Sequence, residues 1–199
     1  MLNFSRRKPE AAPSAASPEP ELVIDVARAR LALARKGRTA GPQAHAIRLA
    51  LGAIEDALIS VDAIRSALDE AAELTAEALG LSDEGRRALC AERYDDLRRA
   101  INESCGATAP EGDCLTAHAK ARLEVSLDPT GRSRHVVRGA DLSTGAQGLD
   151  LPPPLDAFTA DDEIRVTQAA IAAALHRLDR ATQIFLDDAG ALTAAAALA

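Results

Sequence analysis

Apolar residues recur at every third or fourth position through the middle of the chain, which is the spacing of one face of an α-helix. The longest such stretch covers about residues 43 to 79 and contains no proline. A helix of this length spans about 55 Å, more than a compact domain of this size requires, so we expect an extended rod. Its expected apolar face consists of Ile47, Leu51, Ile54, Leu58, Val61, Ile64, Leu68 and Leu74.

A break at GLS (80–82) separates this helix from a second one, expected from about 83 to 103. Gly80 suits the position just after a helix, and Ser82 suits an N-cap. Because the break is short, we expect the two helices to be antiparallel. The second apolar face consists of Leu89, Tyr94, Leu97 and Ile101.

Between about residues 105 and 155 the helical spacing is lost, and Gly, Pro, Ser and Thr become frequent. Apolar and polar residues alternate in RLEVSLD (122–128) and return in SRHVVRG (133–139). The intervening DPTG (128–131) is typical of a type I turn. This stretch therefore predicts a small β-hairpin.

A third long helix is expected to begin near Ala160, with Thr159 as its N-cap, and to weaken near Gly190. It follows the hairpin, so it can return along the first two helices. The predicted fold is mainly α: an elongated three-helix antiparallel bundle with a small β-hairpin insert. The third apolar face consists of Ile164, Ile171, Leu175, Leu178 and Phe185.

The predicted organisation has four parts. Residues 1–20 are rich in Pro, Ala, Ser and Glu and predict a disordered arm. Residues 21–42 predict a short helix and a linker that contains Gly41 and Pro42. Residues 43–192 form the rod with its insert, and 193–199 form a tail.

Four consecutive stretches of this rod carry a family resemblance: AIEDALISVDAIRSALDEAAELTAEAL (53–79), LSDEGRRALCAERYDDLRRAINES (81–104), RGADLSTGAQGLDL (138–151) and FTADDEIRVTQAAIAAALHRLDRATQIFLDDAGAL (158–192). In order and content they resemble the outer-core, coiled-coil domain of bacterial flagellins, especially the short flagellins of alphaproteobacteria. The resemblance covers about residues 45 to 192. It implies a flagellin core-like fold and a place in the bacterial flagellum.

The chain also departs from the flagellin pattern. Flagellins begin and end with helices that form the inner tube of the filament, whereas this chain starts with MLNFSRRKPEAAPSAASPEPE and ends with ALTAAAALA. An Asn-Gly that usually follows the second helix is replaced by SCGATAPEGDC (104–114). We therefore expect a minor subunit or regulator rather than the main filament former.

No sequence motif for catalysis is found: there is no phosphate loop, GxGxxG, HExxH or nucleophile elbow. A metal site made by His118, His135 and Cys114 is conceivable, but surface histidines are the favoured interpretation. Neighbouring acids on a helix diverge by about 100° and do not form an acid/base pair. We expect no catalytic residue, no cofactor and no metal.

Three cysteines leave two interpretations open. Cys105 and Cys114 lie nine positions apart and are a candidate disulfide. Cys90 would then have no disulfide partner. The alternative is three reduced thiols in a cytoplasmic protein.

Charge is distributed unevenly around a formal net charge of −7. Residues 1–50 hold nine basic and four acidic residues, so a basic arm precedes an acidic rod. The arm lacks the interleaved aromatic and glycine residues of single-strand binders, and we expect a solvated tail and no nucleic acid partner. No apolar run is long enough for a membrane span, and the N-terminus does not suit a standard signal peptide.

The leading hypothesis is a non-enzymatic, flagellin-like structural or protein-interaction protein. Its expected partners are flagellins or flagellar export and regulatory factors, with the oligomeric state left open. It would be extracellular, in the flagellum, if the flagellar route exports it, and cytoplasmic otherwise. The alternative is a cytoplasmic helical-bundle adaptor or regulator, for which the flagellin likeness is a general coiled-coil property. A small enzyme or metal-binding module is a third hypothesis.

Overall fold

The structure, a computed structural model, describes residues 41–106, 114–128 and 130–198. The predicted arm and short helix within residues 1–40 lie outside the described residues. The described part is mainly helical with a small antiparallel hairpin, as predicted. Its elements are α1 (Pro42–Gly80), α2 (Glu84–Gly106), β1 (Arg122–Ser126), β2 (Arg134–Arg138) and α3 (Asp161–Leu198). No helix among these is both long and apolar enough to cross a membrane.

Helix α1 contacts both other helices. Midway along it, Arg65 forms an ion pair with Asp179 of α3 at 2.5 Å. Near the C-terminal end of α1, Arg87 of α2 pairs with Asp161 in the first turn of α3 at 2.7 Å. Helix α3 therefore begins where α1 ends and runs back beside it.

Helix α2 is too short to follow α1 along its whole length. It has 23 residues against 39 in α1. Two ion pairs, Arg86–Glu77 and Arg93–Glu70, show that α2 also runs antiparallel to α1 from the turn at residues 81–83. By this register the last turn of α2 lies level with the middle of α1.

The hairpin covers the part of α1 that α2 does not reach. β1 contacts α1 and β2 contacts α3, and the side-chain amide of Gln43 at the start of α1 donates to the carbonyl of Leu127. Leu123 pairs with Val137 in the antiparallel register. Val125 and Val137 are buried against the helices.

Most of the predicted apolar positions are buried. Leu74, Leu97 and Leu175 are only partly covered. The fully or almost fully buried ones are Ile47, Leu51, Ile54, Leu58, Val61, Ile64, Leu68, Tyr94, Ile101, Ile164, Ile171, Leu178 and Phe185.

Leu89 is the exception, and its assignment to the apolar face of α2 is wrong. Its side chain is 65% exposed. The buried face of α2 begins instead with Cys90 and Ala91. Each residue turns the helix by about 100°, so Leu89, one position earlier, faces away from α1.

Both predicted N-caps are also wrong. At α2 the cap is Asp83, not Ser82, because the Asp83 carboxylate accepts the N–H of Arg86 at 2.8 Å. At α3 the hydroxyl of Thr159 donates to the carbonyl of Asp156 at 2.7 Å instead of capping the helix. The carboxylate of Glu163 accepts two N–H groups of the preceding turn.

The third helix is also longer than expected. It continues through Gly190 to Leu198, where the sequence suggests weakening and a separate tail. Leu192 and Ala196 are buried. Because packing supplies most of a helix's stability in a folded protein, these contacts explain why α3 continues past a glycine.

An irregular segment after β2 supplies much of the remaining core. Leu142, Leu149 and Leu151 are buried although they lie in no helix or strand. Phe158 is fully buried with a left-handed backbone, φ 61°, which is costly for a bulky residue. Its ring packs on Tyr94 with 5.6 Å between centroids, so burial compensates for the backbone strain.

Polar side chains within the helix interfaces are satisfied locally. Each hydroxyl donates to a carbonyl four residues earlier in its own helix, a bond that lets a small polar side chain be buried. The residues are Ser60, Thr75, Thr167 and Thr182.

We expect Ile64→Ala to lower the free energy of unfolding by about 3 kcal/mol, since it removes a fully buried side chain between the helices. The matched control is Leu89→Ala, which removes an exposed side chain and should change the stability by less than about 0.5 kcal/mol. Urea denaturation followed by circular dichroism measures both. Equal losses for the two variants would contradict the assigned faces.

Candidate functional site

The end of α2 meets the segment that precedes the hairpin in a small polar cluster. The thiol of Cys114 donates to the carbonyl of Cys105 at 2.9 Å, and the hydroxyl of Thr116 donates to the same oxygen at 3.0 Å. Carbonyls in the last turn of a helix have no partner within the helix. The two donors therefore cap α2 and hold the following chain against it.

None of the three cysteines is disulfide-bonded in the structure. Burial, followed by the nearby Asp141 and Cys114, raises the pKa of the Cys105 thiol to about 12. Burial also raises the pKa of Cys90, with a further contribution from Glu77. The Cys105–Cys114 link stays a prediction, supported by the short distance from Cys114 to the Cys105 carbonyl.

Beside this cluster lies an open cleft of about 1030 Å³. Two of its polar side chains are engaged with the surrounding chain: the Asn102 amide donates to the Thr144 hydroxyl at 2.9 Å, and Asp141 accepts the N–H of Ser143 at 3.0 Å. These bonds hold the loop after β2 on α2. Lining residues include Asn102, Cys105, Cys114, His118, Lys120, Asp141 and Ser143.

A second polar contact joins the hairpin to α3. The ring Nε2 of His135 lies 2.8 Å from Asp188 Oδ1, with the two side chains 25% and 14% exposed. The other carboxylate oxygen of Asp188 is buried and has no hydrogen-bond partner among the described residues. This pair anchors β2 on the helix.

A groove of about 580 Å³ lies next to the His135–Asp188 pair, between β2 and α3. Ala181, Ile184 and Val136 line it, and no hydroxyl or thiol of the described residues does. A His–Asp pair activates a nucleophile only when such a group lies within hydrogen-bond reach of the histidine. The geometry thus favours a structural role for the pair.

The predicted histidine and cysteine candidates do not converge. Within the ranges that the structure describes, no group of three His, Cys, Asp or Glu side chains could hold a metal ion. His45, His118 and His176 are exposed. The sequence analysis did not pair His135 with Asp188. The available signal was the alternation along β2, which places His135 on the same face as the buried Val137.

The hairpin turn is held by a carboxylate. Asp128 accepts the N–H and the hydroxyl of Thr130 at 2.7 and 2.6 Å, and it also accepts the N–H groups of Arg132 and Ser133. Gly131 has φ 69°, a left-handed conformation that favours glycine. The bond from the Thr130 hydroxyl, followed by the backbone bonds, lowers the pKa of Asp128 to about 2.

Comparison with protein-family models finds no match to this chain, and comparison with curated proteins finds none either. The flagellin resemblance therefore rests on the four stretches of sequence alone.

We expect the hairpin turn to loosen as the pH falls from about 4 to about 2. The pKa of Asp128 is lower in the folded chain than the ordinary value of 3.8, so its contribution to stability is complete above pH 4 and is lost as the carboxylate is protonated. The amide resonances of Thr130 and Ser133 in an NMR pH titration report this change. In Asp128→Asn it should disappear, and a midpoint near 4 in the unaltered chain would contradict the assignment.

We expect oxidation with glutathione disulfide to link Cys105 to Cys114, and to do so slowly at neutral pH, because the raised pKa of Cys105 leaves little thiolate to react. Peptide mapping by mass spectrometry detects the link, which Cys114→Ser should abolish and Cys90→Ser should leave unchanged. Links that involve Cys90 as often as Cys105 would show that the pair is not the preferred one.

Proposed function

We propose that this chain is a non-enzymatic, flagellin-like protein that acts in the bacterial flagellum as a minor subunit or regulator through contacts with other proteins. Its fold is then an elongated three-helix antiparallel bundle of the flagellin-core type with a hairpin insert. The proposed partners are flagellins or flagellar export and regulatory factors.

The observation that carries the proposal is the placement of the hairpin beyond the end of α2. β1 contacts α1 and β2 contacts α3, so the strands lie on the α1–α3 pair, whereas α2 contacts α1. Three of the four stretches that resemble flagellin fall on α1, α2 and α3, and the third stretch, 138–151, follows the hairpin.

An interaction role is further supported by an acidic stripe on α1, which we define as Asp62, Asp69 and Glu73. These residues recur at spacings of seven and four and therefore share one face of the helix. All three are exposed, and none forms an ion pair with another described residue. The buried apolar face of α1 is covered inside the chain, so the acidic stripe is one part of α1 that is open to a partner.

The test is small-angle X-ray scattering with light scattering on the purified chain, alone and mixed with flagellin or flagellar export factors from the same bacterium. We expect an elongated particle that binds one of these proteins. A compact particle, or one indifferent to all flagellar proteins, would reject the proposal and favour the cytoplasmic adaptor.

A charge-matched pair of variants sharpens this test. Replacing the acidic stripe (Asp62→Asn, Asp69→Asn, Glu73→Gln) should weaken binding about tenfold, since three interface charges are lost. The control replaces Glu84, Glu92 and Glu103, three exposed acids of α2, by Gln. Binding that falls equally in both would point to net charge instead of the stripe.

A further inference from the structure

The solvent side of the hairpin is unusually basic. Alternate residues of a strand point to opposite faces, and Val125 and Val137 point into the core. Their neighbours along the strands therefore face solvent. We define the hairpin outer face as Lys120, Arg122, Arg134 and Arg138, together with Glu124 and Val136, all of them exposed.

Two arginines on this face lie directly opposite each other. Arg122 is the register partner of Arg138 across the two strands. Like charges in that position destabilise a sheet. Neither guanidinium forms an ion pair with any described residue, and both line a shallow cleft of about 610 Å³ with Lys120, Glu124 and Val136.

Several exposed arginines on the helices are paired with a carboxylate, although Arg180 of α3 is not paired with another described residue. Arg93 pairs with Glu70, Arg99 with Asp96, and Arg165 with Asp162 at 3.3 Å. On the outer face only Arg134 lies within ion-pair distance of a carboxylate, Glu124 at 3.8 Å, while Arg138 lines a neighbouring groove with Asp187 and Asp188. A chain with net charge −7 thus carries four cations and one carboxylate on the outer face of its hairpin.

We propose that the hairpin outer face is a docking surface for an acidic segment of a protein partner. The proposal rests on the protein-interaction role proposed above and adds to it a second surface, of opposite charge to the acidic stripe. A carboxylate placed between Arg122 and Arg138 would remove their mutual repulsion and gain two charge-assisted hydrogen bonds. Binding therefore stabilises the hairpin as well as the complex.

The surface suits a short acidic protein segment better than a nucleic acid. The acidic stripe and the net charge of −7 oppose a long polyanion. Tyr94, Phe158 and Phe185 are buried, so no aromatic ring of the described residues is available to stack a base. Val136, 38% exposed between the cations, offers a contact for an apolar side chain of the partner.

The test measures fluorescence anisotropy of a labelled oligoglutamate of about ten residues, at low salt where exposed charges are least screened. We expect saturable binding that weakens as salt is added. The variant Arg122→Gln with Arg138→Gln should bind about tenfold more weakly, because two contacting charges are lost. The matched control, Arg99→Gln with Arg165→Gln, has the same net charge and should bind as the unaltered chain does.

Three outcomes would overturn the proposal: no binding of oligoglutamate, equal loss in the two variants, or tighter binding of an oligothymidylate of equal charge. A thermal melt shows that the double variant is folded, and its midpoint should not fall, since the arginine pair is repulsive.

No flagellar protein enters this assay. Oligoglutamate binding without flagellar binding rejects the flagellar role alone, and the reverse result rejects the docking surface alone.

Discussion

The apolar face of α1 must be kept from water over its whole length, and this requirement shapes the rest of the molecule. Buried residues extend along α1 from Ile47 to Ala78. Helix α3 is long enough to cover one side of that face, but α2 is shorter than α1 by 16 residues. Strands and an irregular segment complete the cover, with Val125, Val137 and Leu142 in place of a longer helix.

In this arrangement the aliphatic contacts lie inside the protein and the charged groups lie on its surface. Inside, the helices meet through aliphatic residues and hydroxyls whose bonds stay within their own helix. Outside, the acidic stripe lies on the part of α1 beside α2, and Arg122 and Arg138 lie on the hairpin outer face. Two surfaces of opposite charge thus lie on different elements, which suits a protein that meets other proteins at more than one place.

Much of the fold could be predicted because its long elements repeat a simple spacing. A period of 3.6 identified three helices, and a period of two around a turn identified the hairpin. Leu89 and the two N-caps were misassigned because a shift of one residue changes the face of a helix or the capping atom without changing the overall pattern. The local pattern of apolar and polar residues does not distinguish these neighbouring positions.

The contacts that hold the hairpin in place were beyond sequence reasoning for a different reason. His135 and Asp188 are 53 residues apart and meet only once β2 lies on α3. Leu149, Leu151 and Phe158 follow no period, so nothing marked them as core. The hairpin outer face likewise becomes visible only when the register places Arg122 against Arg138.

The separation of α1 and α3 in sequence has a consequence for how the chain folds. Contacts between α1 and α2 are local, whereas Arg65 and Asp179 are 114 residues apart. Closing so long a loop costs chain entropy before the contacts between α1 and α3 can stabilise the fold. We therefore expect the α1–α2 pair to form before α3 docks, with part of its aliphatic face uncovered in the meantime.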